Sequence, residues 1–229
     1  MIIGKGMIAN ALKTIDCDKF CFFASGVSSS NTDDQEEFNR EKNLLESTIK
    51  ENSGNCIFVY FSSCGIEFET TPYFIHKKNM ENITKEKVKS YYIFRLPQVV
   101  GLGGNKNTLF NYLIEQVVCK REIEIWKNVR RNLIDIDDVI LIIKKIIDCK
   151  IKPNSILNIA SPFTLSIVEI INSIENILNI KIKYNSIEKG QSIYVDITEI
   201  SKIIDIDEIF KNKDSYIENL IKKYYKEII

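Results

Sequence analysis

Hydrophobic residues in the first half of the chain cluster in short unbroken runs: MII (1–3), KFCFFA (19–24), CIFVYF (56–61) and YYIFRL (91–96). Continuous runs of strand length, without polar alternation, predict strands buried on both faces of a parallel sheet. The segments between them have helical spacing. GKGMIANAL opens a helix, DDQEEFNREKNLLESTIKEN (33–52) places Phe38, Leu44, Leu45 and Ile49 on one side, and PYFIHKKNMENITKEKVKS (72–90) starts with Pro72 in its first turn. Further on, NTLFNYLIEQVVCK (107–120) predicts a helix, EIEIW (122–126) and NLIDI (132–136) short strands, and DDVILIIKKIIDCK (137–150) a helix. ILNIA (156–160) reads as a strand. Ser161 and Thr164 precede a helix over 165–179, KIKYN (181–185) is strand-like, and ITEISKII and SYIENLIKKYYKEII close the chain as helices.

Strand and helix alternate as far as residue 150, which predicts an α/β fold with a parallel sheet and right-handed crossovers. The mixed elements of 151–229 predict a small second lobe. The polar loop GVSSSNTDDQ (26–35) follows a buried strand directly, where open α/β sheets bind ligands.

Composition narrows the chemistry. Lys plus Arg and Asp plus Glu are 31 each, so no overall field draws the chain to nucleic acid or to a membrane surface. No apolar run is long enough to span a bilayer, and the N-terminus lacks the pattern of a signal peptide. The six cysteines (17, 21, 56, 64, 119 and 149) include no Cys-x-x-Cys, so they read as reduced residues of a cytoplasmic protein with no metal site. With a single histidine, His76, proton chemistry falls to Tyr, Lys, Asp or Glu.

Three stretches carry candidate chemistry. Gly4-Lys5-Gly6-Met7-Ile8-Ala9 fits Gly-x-Gly-x-x-Ala between a strand and a helix, where glycines let a pyrophosphate approach the backbone; an ordinary strand–helix turn has the same look. The acidic residue expected about 20 residues on, at the end of a second strand, is missing, because the next strand ends in Ala24-Ser25-Gly26. Second, Ser62 and Ser63 end a buried strand, and Tyr73 and Lys77 stand one helical turn apart on the next helix. A tyrosine serves as acid or base near neutral pH when a neighbouring ammonium lowers its pKa; an exposed helix face would show the same spacing. Third, Arg130 and Arg131 precede an acidic pair, Asp137 and Asp138, that fits the start of a helix; one of the two arginines suits a phosphate.

Together these residues resemble the extended short-chain dehydrogenase/reductases, specifically their nucleotide-sugar epimerases, dehydratases and reductases. IIGKGMIA resembles the family's glycine turn, FFASG the strand end beside the nicotinamide ribose, FVYFSSCGIE the strand of the catalytic serine, TPYFIHK its Tyr-x-x-x-Lys, RLPQVVGLG a substrate-side strand end, and RNLIDIDDV the stretch whose arginine meets the substrate diphosphate. The resemblance implies a Rossmann-like parallel sheet over 1–150, lacking the usual second and third strands, and a mainly substrate-binding α+β lobe over 151–229. It implies Ser63, Tyr73 and Lys77 as catalytic residues, with Tyr73 as acid/base and Lys77 on the nicotinamide ribose. NAD or NADP would be held by Gly4, Gly6, Met7, Ile8, Ala24, Ser25, Gly26, Ser62, Tyr73, Lys77, Leu96 and Pro97. The nucleotide-sugar would meet Ser63, Cys64, Gln98, Asn107 and Arg131. Cys64-Gly65 stands where dehydratases carry an Asp-Glu pair, which favours reduction or epimerisation in surface-polysaccharide synthesis. The family also forms homodimers through helices that include the one bearing Tyr73. Two readings stay open: an enzyme, or a non-catalytic nucleotide-sugar or dinucleotide binding subunit of the same fold, which the missing strands and acidic ribose ligand favour.

Overall fold

A computed structural model describes residues 1–15, 18–52, 56–104, 108–119 and 121–225. Its main sheet is five-stranded and parallel. The strands are β1 (Ile2–Ile3), β2 (Phe20–Phe23), β3 (Ile57–Ser63), β4 (Tyr91–Leu96) and, from later in the chain, Ser155–Asn158, in that spatial order. The helices α1 (Met7–Leu12), α2 (Gln35–Asn52) and α3 (Pro72–Lys87) link the first four. After β4 come β5 (Gln98–Val100), α4 (Leu109–Val118), β6 (Ile123–Trp126), β7 (Arg130–Asp135) and α5 (Ile136–Asp148). The fifth sheet strand is β8. It is followed by β9 (Thr164–Ser166), α6 (Ile167–Leu178), β10 (Tyr184–Ile187), α7 (Thr198–Ser201), α8 (Ile206–Ile209) and α9 (Lys213–Tyr225).

The apolar runs of the sequence become strands covered on both faces. Phe20, Phe22, Val59, Phe61, Tyr92 and Phe94 point to one side, into a core completed by Leu12 of α1 and by Val139, Ile142, Ile143 and Ile146 of α5. Cys21, Phe23, Phe58, Tyr60 and Ile93 point to the other, against Leu45 and Ile49 of α2 and Met80 of α3. Each fully buried large side chain, such as Phe22 or Phe94, contributes about 1.5–3 kcal/mol.

This arrangement breaks one expectation. The steps β1→β2, β2→β3 and β3→β4 all go the same way across the sheet, yet α1 packs with α5 on one face while α2 and α3 pack on the other. The crossover through α1 therefore has the opposite hand from those through α2 and α3, against the rule that all are right-handed. The cause lies in the shortened first half. Only the one-and-a-half turns of α1 and a short loop separate β1 from β2, and β1 is the edge of the sheet.

The second core does not follow a cut at residue 150. It joins Phe110, Leu113 and Ile114 of α4, Ile123 and Ile125 of β6 and Leu133 of β7 to Ile170, Ile171 and Ile174 of α6 and Leu220 and Ile221 of α9. β7 pairs in parallel with β5 and antiparallel with β9, and β10 pairs in parallel with β6. The strand KIKYN is shifted toward the C-terminus, to Tyr184–Ile187.

Two helix starts also differ from expectation. Asp135 caps α5, accepting from the Asp137 amide, so Asp137 and Asp138 lie in the first turn. Ser166 caps α6 in a reciprocal pair with Glu169, a capping box, while Thr164 belongs to β9. No helix of the described residues is long and apolar enough to cross a membrane.

Candidate active site

The C-terminal ends of β1, β2, β3 and β4 form the rim on which the candidate residues sit. At the end of β1, Gly4 has a φ of 137°, and a Cβ there would lie 2.3 Å from the Ala24 carbonyl oxygen. Only glycine fits this contact between the turn and the end of β2. Gly6, the N-cap of α1, has nothing within 4 Å of where a Cβ would stand, so the turn is open to close backbone approach. Since α1 is only six residues long, the turn offers that approach more than a helix-end field. The Met7 side chain lies against Gly101: its sulfur would be 2.8 Å from a Cβ there, and Gly101 also lies against Ile136.

Ser62 and Ser63 have different roles. Ser63 Oγ accepts from the Gly65 amide and caps a 3₁₀ turn over Cys64–Glu67. Ser62 is buried, and its Oγ has no hydrogen-bond partner among the described residues. A buried hydroxyl without a partner costs free energy unless a ligand or water satisfies it, so Ser62 is the better placed of the two to meet one. Cys64 donates its thiol to the Arg95 carbonyl, 3.3 Å away, and burial raises its pKa well above the ordinary thiol value. It is a packing residue facing the strand.

Tyr73 lies in the first turn of α3, packed with Val27, Phe38 and Phe74 and only 8% exposed. Burial raises its pKa, the Lys77 ammonium pulls it down, and Glu41 raises it again; the net shift is upward. The lowering expected from Lys77 is thus present but outweighed. The main reason is burial, and a smaller upward push comes from Glu41, a residue of α2 that sequence reasoning passed over.

Glu41 is fully buried and receives four donors. Its Oε1 accepts from Lys77 Nζ at 3.0 Å and from the Tyr60 hydroxyl at 2.7 Å. Its Oε2 accepts from the Val27 amide at 2.7 Å and meets His76 Nε2 at 3.0 Å. These fill the four lone-pair sites of a carboxylate. Burial pushes the Glu41 carboxyl up, but Lys77, His76, Val27 and Tyr60 together hold it well below the usual carboxylate range. Lys77 is 3% exposed; burial alone would lower its pKa, and Glu41 and Tyr73 keep it above the ordinary value. Its amine also donates to the Tyr60 hydroxyl at 3.3 Å and stands 5.9 Å from the centre of the Tyr73 ring. The sequence held a signal for Glu41: Phe38, Glu41, Leu45, Thr48 and Ile49 form one buried stripe of α2, with a carboxylate in its middle.

On the far side of β3, Arg95 makes two bonds to buried Glu81, at 2.8 and 2.9 Å, and a third to Glu67. Leu96 is buried at the end of β4, and Pro97 and Gln98 follow it. Gln98 Oε1 is buried without a partner among the described residues. Arg130 and Arg131 are distinguished as well. Arg130 is committed to Glu169 at 3.1 Å and to the Thr164 carbonyl. Arg131 bonds only carbonyl oxygens, those of Arg130 and Gln191, and has no ion-pair partner among the described residues. Burial lowers its pKa, and nearby Glu69 pushes the other way. Asn107 lies outside the described residues. Among the described residues no cluster of His, Cys, Asp or Glu could hold a metal ion.

No protein-family model matches the sequence, and no curated protein sequence matches it. Solved structures do match. The chain superposes on UDP-glucuronic acid 4-epimerase from Bacillus cereus, in complex with UDP-glucuronic acid and NAD, with a TM-score of 0.70 and 17% identity, covering 94% of this chain and 79% of that one. RMD from Pseudomonas aeruginosa, complexed with NADPH, gives 0.74 and 12%, covering 92% and 82%. This chain has the fold of these solved structures. A UDP-N-acetylglucosamine 4-epimerase from Methanobrevibacter ruminantium M1, in complex with UDP-N-acetylmuramic acid, superposes at 0.73 with 13% identity, covering 96% and 80%. This chain covers 79–82% of these solved chains, in agreement with a truncated form of the same fold.

Proposed function

We propose that the protein is an NAD(P)-dependent reductase or epimerase acting on a nucleotide-activated, keto-bearing sugar, of the kind used in surface-polysaccharide synthesis. The observation that carries this reading is the placement of Tyr73 and Lys77 on one face of α3, beside the serine end of β3, in a short-chain dehydrogenase fold. The solved neighbours bound to NAD, NADPH or a UDP-sugar support the substrate and cofactor class.

The residues fit one half of a dinucleotide. The open backbone at Gly4 and Gly6 suits a pyrophosphate, and in this reading Met7 and Ile8 would lie behind it while Ser62, with its partnerless hydroxyl, and Ala24, Ser25, Gly26, Leu96 and Pro97 would border the nicotinamide end. No strand flanks β1 on its outer side among the described residues, so the adenosine half has no equivalent support. A bound NAD(P) would supply or accept a hydride. Tyr73 would move the proton at the sugar oxygen, Ser63 or Ser62 would hydrogen-bond that oxygen, and Gln98 and Arg131 would hold the sugar and its diphosphate. Replacing Tyr73 by Phe should lower turnover about 10²–10⁴-fold while leaving nucleotide-sugar affinity within a few-fold. Unchanged turnover would refute the assignment.

A second reading has its own observations: the Lys77 amine is already bonded to Glu41, and β1 is the sheet edge. Both favour a binding subunit that recognises a nucleotide-sugar through Arg131 and Gln98 without hydride chemistry. Nucleotide-sugar binding with no measurable dinucleotide binding would favour it.

A further inference from the structure

The Glu41 network joins three elements around one buried cation. Glu41 comes from α2, Tyr60 from β3 and Lys77 and His76 from α3, while the loop after β2 closes over them. Gly26 in that loop is pressed against the pair: a Cβ there would lie 2.4 Å from Lys77 Nζ and 3.0 Å from Glu41 Oε1. The Val27 amide, one residue on, is bonded to Glu41 at 2.7 Å. Lys77 is thus paired, hydrogen-bonded and covered by backbone on the side where the loop runs.

We infer that Glu41 is a positioning residue that competes with a dinucleotide for Lys77, so that its bond to the lysine sets the cofactor affinity of the site. This inference rests on the proposed reading of the site as an NAD(P) site. Two of the three Lys77 donors are held by Glu41 and Tyr60, and the loop at Gly26 covers the amine, so a ligand gains full use of Lys77 in the fraction of molecules in which its amine is turned away from Glu41. The apparent dissociation constant is the intrinsic one divided by that fraction. An ion pair with almost no solvent exposure, whose carboxylate is saturated by four donors, keeps the fraction small. A weaker partner at position 41 raises it. The same argument explains how a chain with the tyrosine and lysine in place could bind cofactor poorly.

The test is calorimetric titration of the full chain with NADH, comparing wild type with Glu41→Gln, which keeps the shape of the side chain and removes its charge. The inference predicts at least about tenfold tighter binding by the variant, the effect of weakening one charge-assisted bond. Where turnover is measurable, the KM for the cofactor falls while kcat does not rise. Tyr60→Phe, which removes one hydroxyl and keeps both charges, is the milder variant should Glu41→Gln not fold. It is expected to tighten NADH about threefold. Wild type that binds NADH, with folded variants binding no tighter, would overturn the inference and leave the proposed function standing. Absence of binding by wild type and by both variants, at millimolar NADH and with intact circular dichroism, would overturn the NAD(P) reading itself and this inference with it. A ¹³Cζ-tyrosine spectrum, with Tyr73 assigned through Tyr73→Phe, provides a separate check on Glu41→Gln. The Tyr73 titration should move to lower pH, because the carboxylate that raises it is gone. An unmoved titration would overturn the contact between the network and Tyr73.

Discussion

Lys77→Met removes the cation of the buried network and keeps most of the side-chain volume. Glu41 has no solvent exposure and Lys77 has 3%, so water cannot replace the lost partner. In the variant the carboxylate keeps Tyr60, Val27 and His76 but loses its only permanently charged donor. Breaking a buried pair from one side costs about 3–5 kcal/mol, against about 0–1 kcal/mol for an exposed pair. With a urea slope of about 2–3 kcal/mol per molar, the midpoint should fall by about 1–2 M at pH 7.

The pH dependence separates this cause from lost packing. In the native protein the Glu41 pKa is depressed, so its contribution is present above the ordinary carboxylate range and is lost as pH falls through the depressed folded value. In Lys77→Met the cation that depresses it is gone and burial dominates, so the Glu41 pKa rises above its unfolded value. The variant is then least stable at neutral pH and recovers relative to wild type as the solution is acidified toward pH 4. Adding Glu41→Leu should restore only part of the loss, because it removes the buried charge but leaves the Val27 amide, the Tyr60 hydroxyl and His76 without their acceptor. A loss below 1 kcal/mol at pH 7, or one that does not narrow at pH 4, would refute the buried-pair account.

The two neighbouring arginines should respond differently to alanine. Arg131→Ala should weaken UDP binding in calorimetry by about 10–100-fold with little change in stability, since its guanidinium bonds only carbonyls. Arg130→Ala should leave UDP affinity within a few-fold and lower the melting temperature by a few degrees, because it breaks the tie to Glu169 at the cap of α6.

Most of the fold was legible because buried parallel strands cannot alternate. The runs FCFF, IFVYF and YYIFRL announce β2, β3 and β4 with little ambiguity, and Pro72 and Pro97 mark where a helix begins and a strand ends. The hand of the α1 crossover was not legible. It depends on which face of the sheet a six-residue helix takes, and no local pattern in so short a helix decides that. The limits of the second core were hidden for a similar reason: β8 returns to the main sheet through pairing with β4, a contact more than fifty residues apart that no local pattern encodes.

At the site, spacing placed Tyr73, Lys77 and the serine pair correctly on their elements. It could not show that Ser63 is used as a cap and Ser62 is left without a partner, because that depends on the 3₁₀ turn that follows. Glu41 was missed although a charge in the apolar stripe of α2 marked it, and His76 proved to be one of its partners. Sequence identifies the chemical groups; only the fold shows that Lys77 already has a carboxylate beside it.

The measurement closest to the central claim is titration of the purified wild-type protein with NADH and with NADPH, with folding checked in the same sample. The account predicts saturable binding of at least one of them, weakened by the Lys77–Glu41 bond but measurable below millimolar concentration. No heat of binding at millimolar concentrations of either cofactor, from folded protein, would contradict it and leave Tyr73 without a hydride partner.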